Sequence, residues 1–483
     1  MLVVISDIHL EEEFSRNIRS GDPKISDIIV TRNVSPHAFQ KIFGSWDKQA
    51  ERAKARRFDL VLAGDIFDLH RTAMWFHQPN SEIRPYVAAN PTKIDSTLEQ
   101  KIIDILDETN KPGSSSHQIL DMIRELASTG TYLDENKKNQ SFFVPVKNIQ
   151  IHYLPGNHDR FANGTSVIRK KVRQLLGMGK SSASFPNEIS FPKEKALVRH
   201  GHEYDRYNFS ADLSSQLKRK TPLKIQNEAY EKPTIGDFVT VDIASRLSHE
   251  FRQKFGDESI LKDKVLRNAY ERIIEFDDLR PQIAALNYLL QISLGRRQSQ
   301  SVWRRVYGPV LVQLLDKVHD DPFLKDSLKK LDKRGIDEID LVQAALFTKE
   351  LWKNTAKSYD WVKLLAERAS KAYGKGYPPE RYAAHEGTIL KGEHRFIVAG
   401  HTHHPTVEFI GKESNAEQFY INTGTWRRRI FANAEFSAFG QVKALTYAII
   451  YGFDEDGPGT NSAGQVKVVS LDFWTGVTER WFA

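Results

Sequence analysis

Two stretches of the 483-residue chain crowd histidines behind apolar runs. Val198–Asp205 reads VRHGHEYD and carries His200 and His202. Val398–Pro405 reads VAGHTHHP and carries His401, His403 and His404. Neutral imidazole is the commonest protein ligand for a transition metal, so histidines gathered at the ends of buried strands are what such an ion needs. Three further groups supply oxygen. Asp7 and His9 follow Leu2–Ile5, Asp65 and Asp68 follow Asp59–Ala63, and Asn157, His158 and Asp159 follow Ile149–Leu154. Each oxygen of a carboxylate such as Asp65 can take one cation, so it can bridge two. Asp68, about one helical turn further on, is placed to orient a histidine rather than to bind metal. The Asn157 carbonyl ligates without adding charge, and His158 beside it can give or take a proton. Each pattern alone has a bland reading: Asn-His-Asp is an ordinary Asx turn, and Asp7-x-His9 is short enough to arise by chance.

Positioning these groups requires strands that stop together. Leu2–Ile5, Asp59–Ala63, Ile149–Leu154, Leu197–Arg199 and Phe396–Ala399 are short apolar runs ended by polar or glycine residues, and they read as buried strands. If strand geometry persists past Ile5, Asp7 and His9 point the same way. Ser35–Phe58 predicts a helix, with Ser35 as cap, Pro36 in the first turn and Phe39, Ile42, Phe43 and Trp46 on its core face. Thr97–Asp107 and Ser116–Ala127 are also predicted helical, with a turn at Pro112–Ser115. The stretch 71–146 offers no chemistry of its own.

From Asp205 to Arg395 the pattern is helical, with candidates at Asp237–Phe255, Pro281–Leu294, Val302–Val318, Ile339–Trp352 and Trp361–Tyr373. Gln418–Ile421 reads as a strand, followed by Asn422-Thr423-Gly424-Thr425-Trp426 and the basic run Arg427–Arg429. Tyr447–Phe453 and Gln465–Phe473 alternate as strands around a polar, Gly-rich turn at 454–464. The expected division is a core in two parts, 1–204 and 396–483, with an inserted helical lid or cap at 205–395.

Composition narrows the classes. Without cysteine there are no disulfides, no thiolate-bound zinc and no thiol chemistry. No apolar run is long enough to span a bilayer. Met1–Ile5 runs straight into Ser6 and Asp7, which leaves no room for a secretory leader, so a cytoplasmic protein is expected. The formal charge of +7 suits an anionic substrate. Residues 206–395 hold 34 lysines and arginines against 27 aspartates and glutamates, an excess equal to that of the whole chain. Arg296, Arg297, Arg304 and Arg305 flank Trp303, and Lys218, Arg219 and Lys220 form a second knot. Such runs are usually a solvated helical face; the sharper reading is a basic surface over an anionic substrate or a nucleic acid.

In chain order the motifs are Asp7-x-His9, Gly64-Asp65-x-x-Asp68, Gly156-Asn157-His158-Asp159, His200-Gly201-His202 and Gly400-His401-x-His403. This set resembles the calcineurin-like metallophosphoesterase superfamily. The resemblance reaches from Asp7 to His403, although 71–146 and the long insertion carry no family pattern. It implies an α/β fold, an αββα metallophosphoesterase sandwich of two mixed sheets, here with a large all-α insertion. It also implies one ion held by Asp7, His9, Asp65 and His403, and a second held by Asp65, Asn157, His200 and His401, with Asp65 bridging. His158, paired with Asp68, matches the family's catalytic dyad and would protonate the leaving oxygen.

Mixed nitrogen and oxygen ligands suit two divalent transition ions, manganese foremost, with zinc, iron or nickel as alternatives, rather than magnesium alone. Two cations about 3.5–4 Å apart clamp a phosphate and acidify a bridging water, and the resulting metal-bound hydroxide attacks phosphorus in line with the leaving oxygen. His202, His404, Arg160 and Arg199 are candidates to meet substrate phosphate oxygens, the two arginines on nearness in sequence alone.

The helical insertion, GHTHxP and NTGTW look like the branch containing bacterial UDP-diacylglucosamine pyrophosphohydrolases. The chain departs from it in a longer insertion and in having His158 where that group has arginine. A retained His158 favours an ester whose alkoxide leaving group needs a proton. The expected activity is therefore hydrolysis of a phosphodiester or nucleotide-like small molecule. The alternatives are a metal-dependent nuclease using the basic insertion, a protein phosphatase, and a catalytically dead binding or scaffold protein, against which the intact ligand set argues.

Overall fold

β-Branched and apolar runs dominate the strands. In chain order these are β1 (Leu2–Ile5), β2 (Phe58–Ala63), β3 (Ile149–Leu154), β4 (Glu188–Phe191), β5 (Ala196–Arg199), β6 (Phe396–Ala399), β7 (Thr406–Glu413), β8 (Ala416–Asn422), β9 (Arg428–Ala432), β10 (Phe439–Tyr451) and β11 (Ser470–Phe482). The computed structural model describes residues 1–30, 32–86, 94–218, 221–275, 278–280, 288–289, 300–318, 320–332, 377–413, 416–433, 438–453, 455 and 469–482. The protein is mixed α/β with two mixed sheets. In the first, β3, β2 and β1 are parallel neighbours, and β10 pairs antiparallel with β1, β9 and β11. Leu279–Arg280 adds a short parallel ladder beside β9. The second sheet runs β7-β8-β6-β5-β4, parallel in its middle three strands and antiparallel at both edges.

Side chains alternate across each strand, and the packing follows that period of two. Leu2, Val4, Val61, Ala63 and Leu154 of the first sheet share a core with Val198, Phe396, Val398 and Ile421 of the second. Val3, Ile5, Leu60 and Leu62 face the other way, into a cluster with helices α1 (Pro36–Ala53), α2 (Ser96–Thr109), α3 (Ser115–Thr129) and α4 (Ser166–Leu176). The outer face of the second sheet, Leu197, Ile397, Ala399 and Tyr420, is covered by Leu213, Leu217, Tyr382 and Ile389. The central strands are buried on both faces, which is why they read as continuous apolar runs.

Register places the strand ends together. Ile5 lies beside Leu62, Leu62 beside Tyr153, and Val198 beside Val398. The loops after β1, β2 and β3 therefore leave one edge of the first sheet side by side, and those after β5 and β6 do the same in the second.

Several boundaries differ from expectation. Ser35 caps α1 through its side chain, as predicted, but the helix ends at Ala53, because Lys54 turns left-handed (φ 52°) and Phe58 already opens β2. α2 and α3 run to Thr109 and Thr129, where Asn110 and Gly130 cap them. The helix expected at Asp237–Phe255 is broken into Ile235–Phe238, a π-helical stretch Val239–Ser245, and α5 (Arg246–Phe255). Val302–Val318 likewise contains a π-helical stretch, Trp303–Tyr307, before α6 (Gly308–Val318). The closing strand pair is present but longer than expected: β10 begins at Phe439 and β11 extends to Phe482.

The expected helices 339–352 and 361–373, nearly all of 281–294, the basic residues Arg219, Lys220, Arg296 and Arg297, and most of the turn 454–464 lie outside the described residues. Among the described residues no helix is long and apolar enough to cross a membrane.

Described helical residues of 205–395 share a core with the helices that precede them. Val241, Leu247, Phe251, Tyr270 and Trp303 belong to the same buried cluster as Phe39 and Phe43 of α1. Phe39 is fully buried and packs its ring 4.6 Å from Trp426. Phe39→Ala is expected to cost about 3–5 kcal/mol of stability, read from urea unfolding midpoints. An unchanged midpoint would contradict its place in the core.

Candidate metal centre

The polar residues after the strands do not continue the extended backbone. Asp7, His9, Asp65, His401 and His403 have φ of 51°, 51°, 50°, 70° and 59°. That left-handed region is costly for residues with a Cβ, and it collects at functional sites. Among the described residues only four other non-glycine positions adopt it. Asp7 and His9 thus converge through two left-handed residues rather than through strand alternation. Backbone bonds join the loops: the Asp7 N–H donates to Gly64 O at 3.0 Å and that of His9 to Asp65 O at 2.9 Å.

Two glycines make room for the carboxylates. A Cβ on Gly156 would lie 2.2 Å from Asp65 Oδ1, and one on Gly400 would lie 2.1 Å from Asp7 Oδ2. The buried Asp159 carboxylate gathers the backbone N–H groups of Asp65, Ile66, Phe67 and Gly156 at 2.6–3.2 Å. The NTGTW stretch braces Asp7, whose carbonyl accepts from Thr425 Oγ1 at 2.7 Å and from the Trp426 N–H at 3.0 Å.

Three groups of buried or nearly buried side chains bring potential ligand atoms together: Asp7, His9 and His403; Asp65, His200 and His401; and His9, Asp68 and His158. In the first, Asp7 Oδ1 lies 3.2 Å from His403 Nε2 and 3.8 Å from His9 Nε2, and the two imidazole nitrogens are 2.9 Å apart. In the second, His200 Nε2 lies 3.2 Å from Asp65 Oδ2 and 3.3 Å from Asn157 Oδ1, and His401 Nδ1 lies 3.0 Å from that same Asn157 oxygen. Asp65 Oδ2 is also 3.9 Å from His9 Nε2, so it faces both groups.

The outer hydrogen bonds fix the tautomers. His9 donates its Nδ1–H to Asp68 Oδ2 at 3.0 Å, His200 donates Nδ1–H to Ala63 O at 2.9 Å, and His401 donates Nε2–H to Asp205 Oδ2 at 2.9 Å. With its outer nitrogen so occupied, each ring has only its inner nitrogen left to offer a metal ion. Asp7 Oδ1 is buried without a hydrogen-bond partner. The His401 Nδ1 lone pair thus faces the Asn157 Oδ1 acceptor at 3.0 Å, and ligand atoms about 2.1 Å from a shared ion are spaced roughly 3.0–3.4 Å apart. Donor types, spacing and the orphaned oxygen all fit a metal ion.

The electrostatics agree. Burial raises the Asp65 carboxyl, but His200, His158 and His9 outweigh it and hold the group well below the usual carboxylate range. Burial lowers His200, yet Asp65 and Asp7 push it up to about 10. A proton there stands where a cation would neutralise the same carboxylates. Burial raises Asp7 to about 6 and drops His9 to about 3.

His158 Nδ1 lies 3.0 Å from Asp68 Oδ1, so the two residues expected to pair do meet. Behind Asp68 stand Arg71 at 3.4 Å and Arg427 at 3.3 Å, and Arg427 continues to Glu11 and Asp278. The remaining candidates stand differently. His202 is buried, its ring 5.3 Å from His200 and 6.4 Å from His401. His404 is exposed. Arg160 is paired with Asp237 at 3.2 Å. Arg199 is enclosed by Glu188, Glu203 and Glu386.

Sequence reasoning missed Asp159, Asp205 and the pair Glu11–Arg427 as supports of the site. Asp159 stood beside His158 in the motif, and Asp205 closed the VRHGHEYD stretch. Glu11 carried no local signal. No family model matches this chain, and neither a curated protein nor a solved structure does.

Gly156→Ala tests the close approach. Its Cβ cannot coexist with Asp65 in place, so affinity for divalent ions should fall by about tenfold or more, as for disrupted outer-shell support. Equilibrium dialysis against Mn(II) measures this, with circular dichroism to check that the fold persists. Retention of normal affinity would refute the geometry.

Proposed function

We propose that the protein is a dinuclear metal-dependent phosphohydrolase of the calcineurin-like metallophosphoesterase kind, acting on a phosphodiester or nucleotide-like small molecule. The observation that carries this reading is the place of Asp65 Oδ2, 3.2 Å from His200 Nε2 and 3.9 Å from His9 Nε2, with Asp7 and His403 on one side and Asn157 and His401 on the other. Two mixed sheets with a shared core and helix-covered outer faces support the corresponding αββα sandwich.

Two divalent transition ions, when bound, would neutralise phosphate charge and lower the pKa of a water between them. The chain's own part begins with holding the ligands rigidly. Left-handed loops, the Asp159 carboxylate and the outer hydrogen bonds spend no reorganisation at the moment of reaction. His158 has Nδ1 tied to Asp68, which leaves Nε2 to donate a proton to the departing oxygen. His158 is nearly buried, as a proton donor shielded from bulk water should be.

The test uses metal-stripped protein with Mn, Zn, Ni or Mg restored in turn and chromogenic phosphodiester and phosphomonoester substrates. Metal-restored hydrolysis that Asp65→Asn abolishes is the expected result. His158→Ala should lower turnover by about 10²–10⁴-fold while metal content stays unchanged. Two ions and a normal rate in Asp65→Asn would overturn the assignment, and equal loss of metal and turnover in His158→Ala would make that residue structural.

A further inference from the structure

Beyond the ligands, a ring of contacts, hydrogen-bonded on three of its four sides, ties the metal centre to the segment that starts at Asp205. His401 Nε2–H donates to Asp205 Oδ2 at 2.9 Å, and Asn208 Nδ2 donates to the same oxygen at 2.7 Å. Asn157 Nδ2 in turn donates to Asn208 Oδ1 at 3.4 Å, and Asn157 Oδ1 returns to within 3.0 Å of His401 Nδ1. Two choices are made by this ring. Asp205 selects the His401 tautomer whose Nδ1 lone pair faces inward. Asn208 selects the amide orientation that turns the Asn157 oxygen, not its nitrogen, toward His200 and His401. An asparagine flipped by half a turn would present N–H groups to the ion and could not ligate it.

The ring serves one side only. Asp205 and Asn208 turn their side chains to His401 and Asn157, whereas His9 is held by Asp68 and the Asp7 carbonyl by the NTGTW stretch; the two sides touch where the His401 backbone N–H donates to Asp7 Oδ2 at 2.9 Å. Asn208 is itself held from further along the segment. The Gly236 N–H donates to Tyr207 O at 3.0 Å, and a Cβ on Gly236 would lie 2.0 Å from Asn208 Oδ1.

We propose that Asp205 and Asn208 are positioning residues for the Asn157–His200–His401 half of the centre, so that the fold of the segment starting at Asp205 governs occupancy of the second cation site and leaves the first untouched. This rests on the dinuclear reading above. Removing an outer-shell partner typically weakens metal affinity about 10–100-fold, and here the loss falls on one ion of two.

The experiment titrates Mn(II) into the metal-stripped full chain, reading stoichiometry by elemental analysis and pairing by the exchange-coupled Mn(II) signal in electron paramagnetic resonance. Wild type should hold two coupled ions. Asp205→Ala and Asn208→Ala should each keep one ion at wild-type affinity, lose about 10–100-fold in affinity for the other, and lose the coupled signal. Asp205→Asn keeps an acceptor for the His401 Nε2–H and should recover part of the second affinity. Gly236→Ala, which changes no proposed ligand, should reproduce the Asn208→Ala phenotype by displacing the Asn208 side chain. Two ions of normal affinity in both alanine variants would overturn the proposal, as would equal weakening of both ions. A wild-type chain that holds fewer than two ions would instead overturn the dinuclear reading, so the two failures are separable.

Discussion

The structure turns on a buried carboxylate. Asp65 is 1 % exposed and sits where four loops meet, within 4 Å of His9 on one side and His200 on the other. An isolated charge at such a depth is strongly unfavourable unless paired and hydrogen-bonded. The surroundings answer that demand in three ways. The His158 N–H donates to Asp65 Oδ1 at 2.8 Å, imidazoles flank Oδ2, and glycine at 156 lets backbone approach where any side chain would collide. The register of β1, β2 and β3 and the meeting of the two sheets serve the same end, since they bring those loops to one place.

Around this centre lies a second ring of charge. Asp68 contacts His9, His158, Arg71 and Arg427, and the Asp278 carboxylate behind Arg427 also meets Arg32 and Arg428. Buried ion pairs often stabilise less than well-packed apolar residues would. Their value here is orientation: each carboxylate fixes which nitrogen of an imidazole carries its proton. His158 first, then Arg71 and the His9 hydrogen bond, hold the Asp68 carboxyl well below the usual carboxylate range although burial opposes it. Its two oxygens therefore remain acceptors for two different histidines.

The candidate ligand residues were legible because each belongs to a short local pattern behind an apolar run, and period-two burial of the strands was legible for the same reason. Features set by distant partners were not. Nothing near Asp159 announces that it will collect four N–H groups from two loops, and Glu11 meets Arg427 only after the chain has folded. Arg160 and Arg199 drew attention by their neighbours in sequence, yet their partners are Asp237 and a trio of glutamates. The left-handed turn at Lys54 has no glycine to mark it. The π-helical stretches at 239–245 and 303–307 preserve the apolar spacing that suggested helices and alter only their hydrogen bonding. The boundary drawn at Asp205 separated residues that share one apolar cluster with α1, because periodicity shows which face of a helix is buried but not against what.

The order of pairing bears on how the molecule comes into being. β1 hydrogen-bonds β2 on one side and β10 on the other, with Leu2 opposite both Asp59 and Ile450. β5 and β6 are sheet neighbours although one ends at Arg199 and the other begins at Phe396. Pairings of such high sequence separation form late, after the entropy of closing long loops has been met. A nascent chain emerges with Asp7, His9 and Asp65 long before His401 and His403 exist, and its first strand waits half-paired for a partner that begins only at Phe439. Until then the aspartates and histidines are ordinary solvated side chains. The cluster thus assembles only once residues as far along as His403 have joined the earlier loops.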